Sequence, residues 1–187
     1  MGENREYGTI RLRPVAPEVI RLAEDARVPN NPRLPVLVYG GVLDAAADDL
    51  AGSFAALFAG NGWGGIWYDG IFRFPHYHST AHEALGIARG RARLRLGGAS
   101  GIEREVAAGD ALVLPAGTGH ENLGSSPDLL VVGAYPPGQR WDLLRGGADA
   151  RVRARIARVP RPATDPLFGR EGPLPRLWSR CPIGGDR

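Results

Sequence analysis

Gly70-Ile71-Phe72-Arg73-Phe74-Pro75-His76-Tyr77-His78-Ser79-Thr80-Ala81-His82-Glu83-Ala84-Leu85-Gly86-Ile87-Ala88-Arg89-Gly90 is the stretch whose reading decides the fold. It holds three of the four histidines in the chain. On a β-strand, residues i and i+2 point to one face, roughly 6 to 7 Å apart, so His76 and His78 aim both imidazoles to the same side and Tyr77 faces away. Ser79 to His82 can turn the chain, and Glu83, at the head of the next strand, then offers a carboxylate to the same place. Three donors are expected from one hairpin. Alternation from Glu83 sends His82 outward, either to solvent or to the margin of the pocket.

Outward from this stretch, short runs continue to Tyr135: Phe72 to His78, Glu83 to Ile87, Ala92 to Leu96, Glu103 to Val106, Ala111 to Leu114 and Leu129 to Val132. Glycine or proline punctuates almost every gap. Short strands with regular turn signals predict an antiparallel sandwich or barrel. The remaining histidine, His120, follows a strand and a Pro115-Ala116-Gly117 turn that re-aims the chain, and it supplies the fourth donor. Three neutral imidazoles and a carboxylate suit one divalent first-row ion such as Fe(II), Mn(II), Ni(II), Cu(II) or Zn(II). Four protein donors would leave two positions of an octahedral ion open.

These residues meet the two motifs of the cupin superfamily. Gly70, His76, His78, Glu83 and Gly90 fill Gly-x5-His-x-His-x4-Glu-x6-Gly, and Gly109, Pro115, Gly117 and His120 fill Gly-x5-Pro-x-Gly-x2-His. The second motif ends on asparagine four residues further on, where this chain has Gly124 and the nearest asparagine is Asn122. Val28-Pro29-Asn30-Asn31, Leu34-Pro35-Val36-Leu37, the run from His76 to Glu83, Leu114 to His120 and Val132-Gly133-Ala134-Tyr135-Pro136 further resemble a bacterial cupin family of the YjlB type. The resemblance implies an all-β double-stranded β-helix, a jelly-roll barrel, with added N-terminal and C-terminal helices and arms. It implies a metal held by His76, His78, Glu83 and His120. His82, Trp67, Phe74, Tyr77, Thr80 and Tyr135 are candidates for the pocket or for support of the ligands.

The flanks read as additions to one structural domain: residues 1–65 as a strand, a loop and a helix packed on the barrel, 66–140 as the barrel core, and 141–187 as a helix and arm. Residues 8–13 alternate as an edge strand, and 17–26 read as a helix opened by proline. Val36 to Tyr39 has strand length. Asp44 to Phe58 has helical periodicity with Asp44 as N-cap, and Asp149 to Val159 is an Arg-rich amphipathic helix capped by Asp149. Beyond it, Leu167, Phe168, Leu174, Leu177 and Trp178 anchor an irregular arm on the barrel or on a second subunit. Trp63 and Trp67 read first as core.

Composition narrows the chemistry. All 23 basic residues are arginine, so lysine Schiff-base chemistry is excluded. The +3 formal charge is spread along the chain, and Arg91, Arg93 and Arg95 alternate with apolar residues as a solvated strand face, so no nucleic-acid partner is expected. The single cysteine, Cys181, excludes an intrachain disulfide. No run approaches a membrane span and no signal peptide is apparent, which places the protein in the cytoplasm. The functional expectation is a metalloenzyme acting on a small organic substrate, a dioxygenase of the Fe(II) type. A non-redox isomerase, hydrolase or decarboxylase, and a non-catalytic binding or sensor cupin, are the alternatives. Added strands and arms imply a homodimer.

Overall fold

A computed structural model describes residues 10–180. In chain order its elements are β1 (Glu18–Ile20), β2 (Val36–Tyr39), α1 (Leu50–Gly60), β3 (Gly64–Asp69), β4 (Glu83–Arg89), β5 (Arg91–Leu96), β6 (Ile102–Ala107), β7 (Ala111–Leu114), β8 (His120–Ser125), β9 (Leu130–Tyr135), α2 (Ala150–Arg158) and α3 (Pro173–Ser179). Six strands form one sheet in the order β1-β2-β7-β4-β9-β3, and three form a second, β6-β5-β8. Every pairing is antiparallel. The chain passes from the large sheet (β4) to the small (β5, β6), back (β7), across again (β8) and back (β9), which is the weave of a double-stranded β-helix.

The near-continuous apolar strands of the large sheet follow from burial on both faces. Val36, Val38, Leu85, Ile87, Leu112, Leu114 and Val131 point into the barrel, where they meet Ala92, Leu94, Leu96 and Val106 of the small sheet. The intervening Leu37, Tyr39, Ala84, Ala88, Val113, Val132 and Ala134 face outward and are covered by Phe54, Leu57 and Phe58 of α1 and by Leu167, Leu174 and Trp178 of the C-terminal segment. The outward residues of β4 are small because α1 lies close. A Cβ at Gly86 would overlap the ring of Phe54. Gly86→Ala is therefore expected to cost about 1–3 kcal/mol through overpacking, seen as a lower urea midpoint with an unchanged m-value. The small sheet has one wet face: Arg91 and Arg93 are exposed while Ala92, Leu94 and Leu96 are buried, and Arg95 joins Glu103 and Glu121, both at 3.1 Å.

Several local expectations are corrected. Residues 17–26 do not form a helix. Glu18 to Ile20 pair with Val36 to Val38 as an edge strand, because a sheet edge offers the β-branched Val19 and Ile20 ladder hydrogen bonds and buries Ile20. Of the strand expected at 8–13, residues 8 and 9 lie outside the described residues, and the rest contributes one bridge, Leu12 to Leu43. α1 starts at Leu50, not near Asp44. Asp49 caps it by accepting from the Gly52 N–H at 2.8 Å, whereas Asp44 accepts from the Ala46 N–H in a separate turn. Gly64 to Asp69 form a strand on β9 with a register shift between Gly64 and Trp67. α2 begins after its expected cap, Asp149, whose side chain accepts from the Val152 N–H. The arm beyond it is partly ordered as α3 and, up to residue 180, packs on the barrel of its own chain. Cys181 lies outside the described residues.

Candidate metal centre

The expected strand from Phe72 to His78 is not continuous. Pro75 lacks an N–H, and among the described residues only two of the segment form bridges, on opposite sides: His76 with His120 and Tyr77 with Leu144. The His76 N–H donates to the His120 carbonyl at 3.2 Å, and the His120 N–H returns to His76 at 2.9 Å. The His-Tyr-His segment thus extends the small sheet beside β8, while Glu83 opens β4 in the large sheet between β7 and β9. Ser79 to His82 joins the two sheets instead of closing a hairpin between paired strands. The donors converge across one end of the barrel, which corrects the one-hairpin picture.

His76, His78 and His120 are buried, and each offers a ring nitrogen within 4.8 Å of the others. Local backbone aims them. His76 Nδ1 faces the Phe74 carbonyl at 3.1 Å, His120 Nδ1 the Thr118 carbonyl at 3.0 Å, and His78 Nδ1 the Asp142 carbonyl. A carbonyl can only accept, so each Nδ1 carries the proton in the neutral ring and each Nε2 is left as a lone pair. Gly117 makes the approach to His120 possible. Its φ is 90°, a conformation that strains any residue with a Cβ, and a Cβ there would stand 2.8 Å from the Asn30 carbonyl oxygen.

Glu83 completes the group. Its Oε2 lies 3.4 Å from His78 Nε2 and 3.5 Å from His120 Nε2, outside hydrogen-bonding geometry, and is buried with no hydrogen-bond partner among the described residues. Its Oε1 accepts from the Tyr135 hydroxyl at 2.8 Å, and that hydroxyl accepts from Trp67 Nε1 at 2.9 Å. Burial by itself would raise the Glu83 pKa, but His78, His120 and Tyr135 outweigh it and hold it at about 2. Burial lowers His76 and takes His120 to about 3, with neighbouring imidazoles pushing the same way. At His78 burial works against the charged form, yet Glu83 and the Asp142 carbonyl prevail and raise it. Burial, Glu83 and its hydrogen bond all raise the Tyr135 hydroxyl. Three inward lone pairs and a buried, donor-less carboxylate oxygen are a donor set that fits a divalent cation.

The other candidates separate. Trp67 and Tyr135 reach the centre through Glu83. The Phe74 ring lies 5.7 Å from that of His76 and stacks on Phe72 at 4.9 Å. Tyr77 is not at the site: it packs with Val28, Ala116 and Ile156 on the far side of its segment. Thr80 is not there either, its hydroxyl donating to the Arg140 carbonyl at 2.7 Å. His82 points away from Glu83 as alternation requires, but not into solvent. The C-terminal segment covers that face, so the ring is fully buried 4.8 Å from Trp178, with Nδ1 accepting from the Ala116 N–H at 2.9 Å. Burial takes its pKa to about 3.

Two residues had no signature in the sequence. Asp142 orients His78 through its carbonyl, and its carboxylate accepts from the Ser79 N–H at 2.6 Å and hydroxyl at 2.5 Å. Trp141, 52% exposed, lies 5.7 Å from the His78 ring and stacks on Tyr135 at 6.3 Å. Both sit more than 60 residues from His78 along the chain, and neither occupies a motif position. The missing motif asparagine also has a structural counterpart. β8 carries a register shift in which Leu94 pairs with Asn122 and Arg93 with Gly124, so Leu123 is an extra residue. Asn122 is buried at this bulge, and its Oδ1 accepts from the Gly124 N–H at 2.9 Å.

No family model matches the sequence. The chain is 38% identical over 157 residues to the uncharacterized protein YjlB of Bacillus subtilis, spanning 83% of this chain and 92% of that protein. Among solved structures, it is similar to an acireductone dioxygenase from Bacillus anthracis with a cadmium ion in its active center (14% identity, TM-score 0.40, 58% of this chain and 82% of that one). It is also similar to an uncharacterized double-stranded β-helix protein from Klebsiella pneumoniae (16% identity, TM-score 0.36, 78% of this chain and all of that one). With its barrel topology and the identity shared over most of both chains, the protein belongs to the YjlB family of cupins.

Proposed function

We propose that His76, His78, Glu83 and His120 hold one divalent transition metal, and that the protein is a metal-dependent enzyme for a small organic substrate. The observation that carries this reading is the pairing of three Nδ1-anchored imidazoles with a carboxylate oxygen that is buried and has no donor among the described residues. Without a cation, that arrangement leaves a desolvated acceptor facing lone pairs. The finer reading is a dioxygenase of the Fe(II) type. An iron(II) ion at these four donors would supply O2 chemistry, with two coordination positions left for substrate and O2.

The chain's own residues define how the site would work. The carbonyls of Phe74, Asp142 and Thr118 fix the three tautomers and ring planes. Tyr135 engages Glu83 Oε1, so only Oε2 is free to coordinate. The half-buried ring of Phe74 and the stacked Tyr135 and Trp141 flank the imidazoles. Anaerobic Fe(II) loading followed by nitric oxide tests the finer reading: a high-spin nitrosyl EPR signal is expected, and its absence from fully loaded protein would refute the open positions.

Tyr135→Phe keeps the ring stack and removes the hydrogen bond to Glu83. It is expected to weaken metal affinity by about 10–100-fold, the range for groups that orient a ligand. Competition with a chromophoric chelator measures it, and an unchanged affinity would remove Tyr135 from the support of Glu83.

A further inference from the structure

Outside the metal centre, the strongest unassigned feature is an open hollow of about 390 Å³ lined by Thr80, Arg151, Arg155, Arg158 and Val159. The three arginines recur at i, i+4 and i+7 along α2 and so share one face of the helix. That convergence is unfavourable for the helix itself. Like charges four apart repel, and Arg151 stands in the first turn, where the helix dipole disfavours a cation. Counter-charge is incomplete. Arg155 reaches Asp142 Oδ2 at 3.3 Å and Ser79 Oγ at 3.0 Å, while no carboxylate pairs with Arg151 or Arg158 among the described residues. Arg153, off this face, has its own partner in Glu24. The Thr80 hydroxyl hydrogen is used by the Arg140 carbonyl, which leaves the guanidinium groups as the donors of the hollow.

We propose that this hollow binds a small phosphate-bearing anion at a site separate from the metal centre. Guanidinium forks match phosphate oxygens in geometry and charge, and three arginines line the hollow with a carboxylate paired to Arg155 alone. Asp142 stands between the hollow and His78: its carboxylate holds Arg155 and its carbonyl holds the Nδ1 edge of the imidazole. A ligand among the arginines therefore approaches the back of His78, away from the coordinating Nε2, and is not a substrate of the metal.

Calorimetric titration of the full chain with inorganic phosphate, and separately with glycerol phosphate, tests the proposal. Saturable binding at one site is expected, weakened at least about tenfold by Arg151→Gln and by Arg158→Gln, as loss of a charge-assisted hydrogen bond implies. Arg153→Gln and His76→Ala should bind as the wild type does. Tighter binding of glycerol phosphate would assign an organic phosphate as the ligand, and the reverse order free phosphate. No saturable binding, equal weakening by Arg153→Gln, or loss of binding in His76→Ala would overturn the proposal. Binding of a single-stranded oligonucleotide that phosphate does not displace would overturn it too.

Discussion

His120→Ala is expected to lose stoichiometric metal while the barrel stays folded. His120 contributes one of three mutually close ring nitrogens, and its Nε2 is one of the two that face Glu83 Oε2. Its removal takes away a first-row metal's preferred donor and lets water into the end of the barrel. The loss in affinity should exceed the roughly 10–100-fold that follows from disturbing only an orienting group. Metal per chain after dialysis against limiting metal is the measurement, and about one equivalent retained by the variant would sink the site. Stability gives an independent reading. A ligand that binds only the folded state at about a thousandfold above its Kd stabilises by about 4 kcal/mol. For a chain of this size that corresponds to a Tm rise on the order of 10 °C. Added metal should raise the Tm of the wild type and not that of His120→Ala. His82→Ala is the contrasting control, since His82 packs under Trp178 and is expected to keep its metal while losing stability.

The second large effect lies outside the centre, at Asp165. This carboxylate is fully buried and accepts four hydrogen bonds: from the Tyr39 hydroxyl at 2.6 Å, and from the N–H groups of Leu167 at 2.9 Å and of Phe168 and Leu174 at 3.1 Å. It ties β2 to the C-terminal segment. The same segment is held by Asn61 to the Pro166 carbonyl, Thr164 to the Asn61 carbonyl and Trp178 to the Pro35 carbonyl. Asp165→Ala would leave three buried donors and one part-buried donor without an acceptor. At about 1–3 kcal/mol for each group left unsatisfied, and allowing for relaxation of the segment, the expected cost is about 3–5 kcal/mol. Urea unfolding of the metal-free protein measures it directly. A loss below about 1 kcal/mol would show that the segment is held by apolar packing alone. Asp165→Asn should fall between the two, because the amide keeps one acceptor and introduces a donor among donors.

These effects separate two kinds of information in the chain. The interior spacing of the first motif depends on strand alternation and turn length, both local properties. His76 and His78 therefore share a face, Tyr77 leaves it, and His82 and Glu83 diverge, all readable from residue order. The paired short runs and turn glycines likewise place β4, β5, β6 and β7 within a residue or two. Where local pattern is weak the reading falters. Gly64 to Asp69 carries two glycines and no alternation, and it becomes a strand because β9 offers it an edge. Glu18 to Ile20 follows a proline that suits a helix start, and it becomes a strand because β2 offers the same.

By itself, then, the sequence determined the all-β class, the three histidines and the glutamate that we propose as a donor group, and the direction each of these side chains takes from its own segment. Only the tertiary structure decided what lies in those directions. It set the histidine pair beside β8 instead of in a hairpin with Glu83, and it placed Asp142 behind His78. It covered His82 with Trp178 rather than solvent. Alternation fixes which way a side chain points through the geometry of its immediate neighbours. What it meets there depends on segments scores of residues away, brought close by burial of apolar surface, which has no direction and leaves no local mark in the sequence.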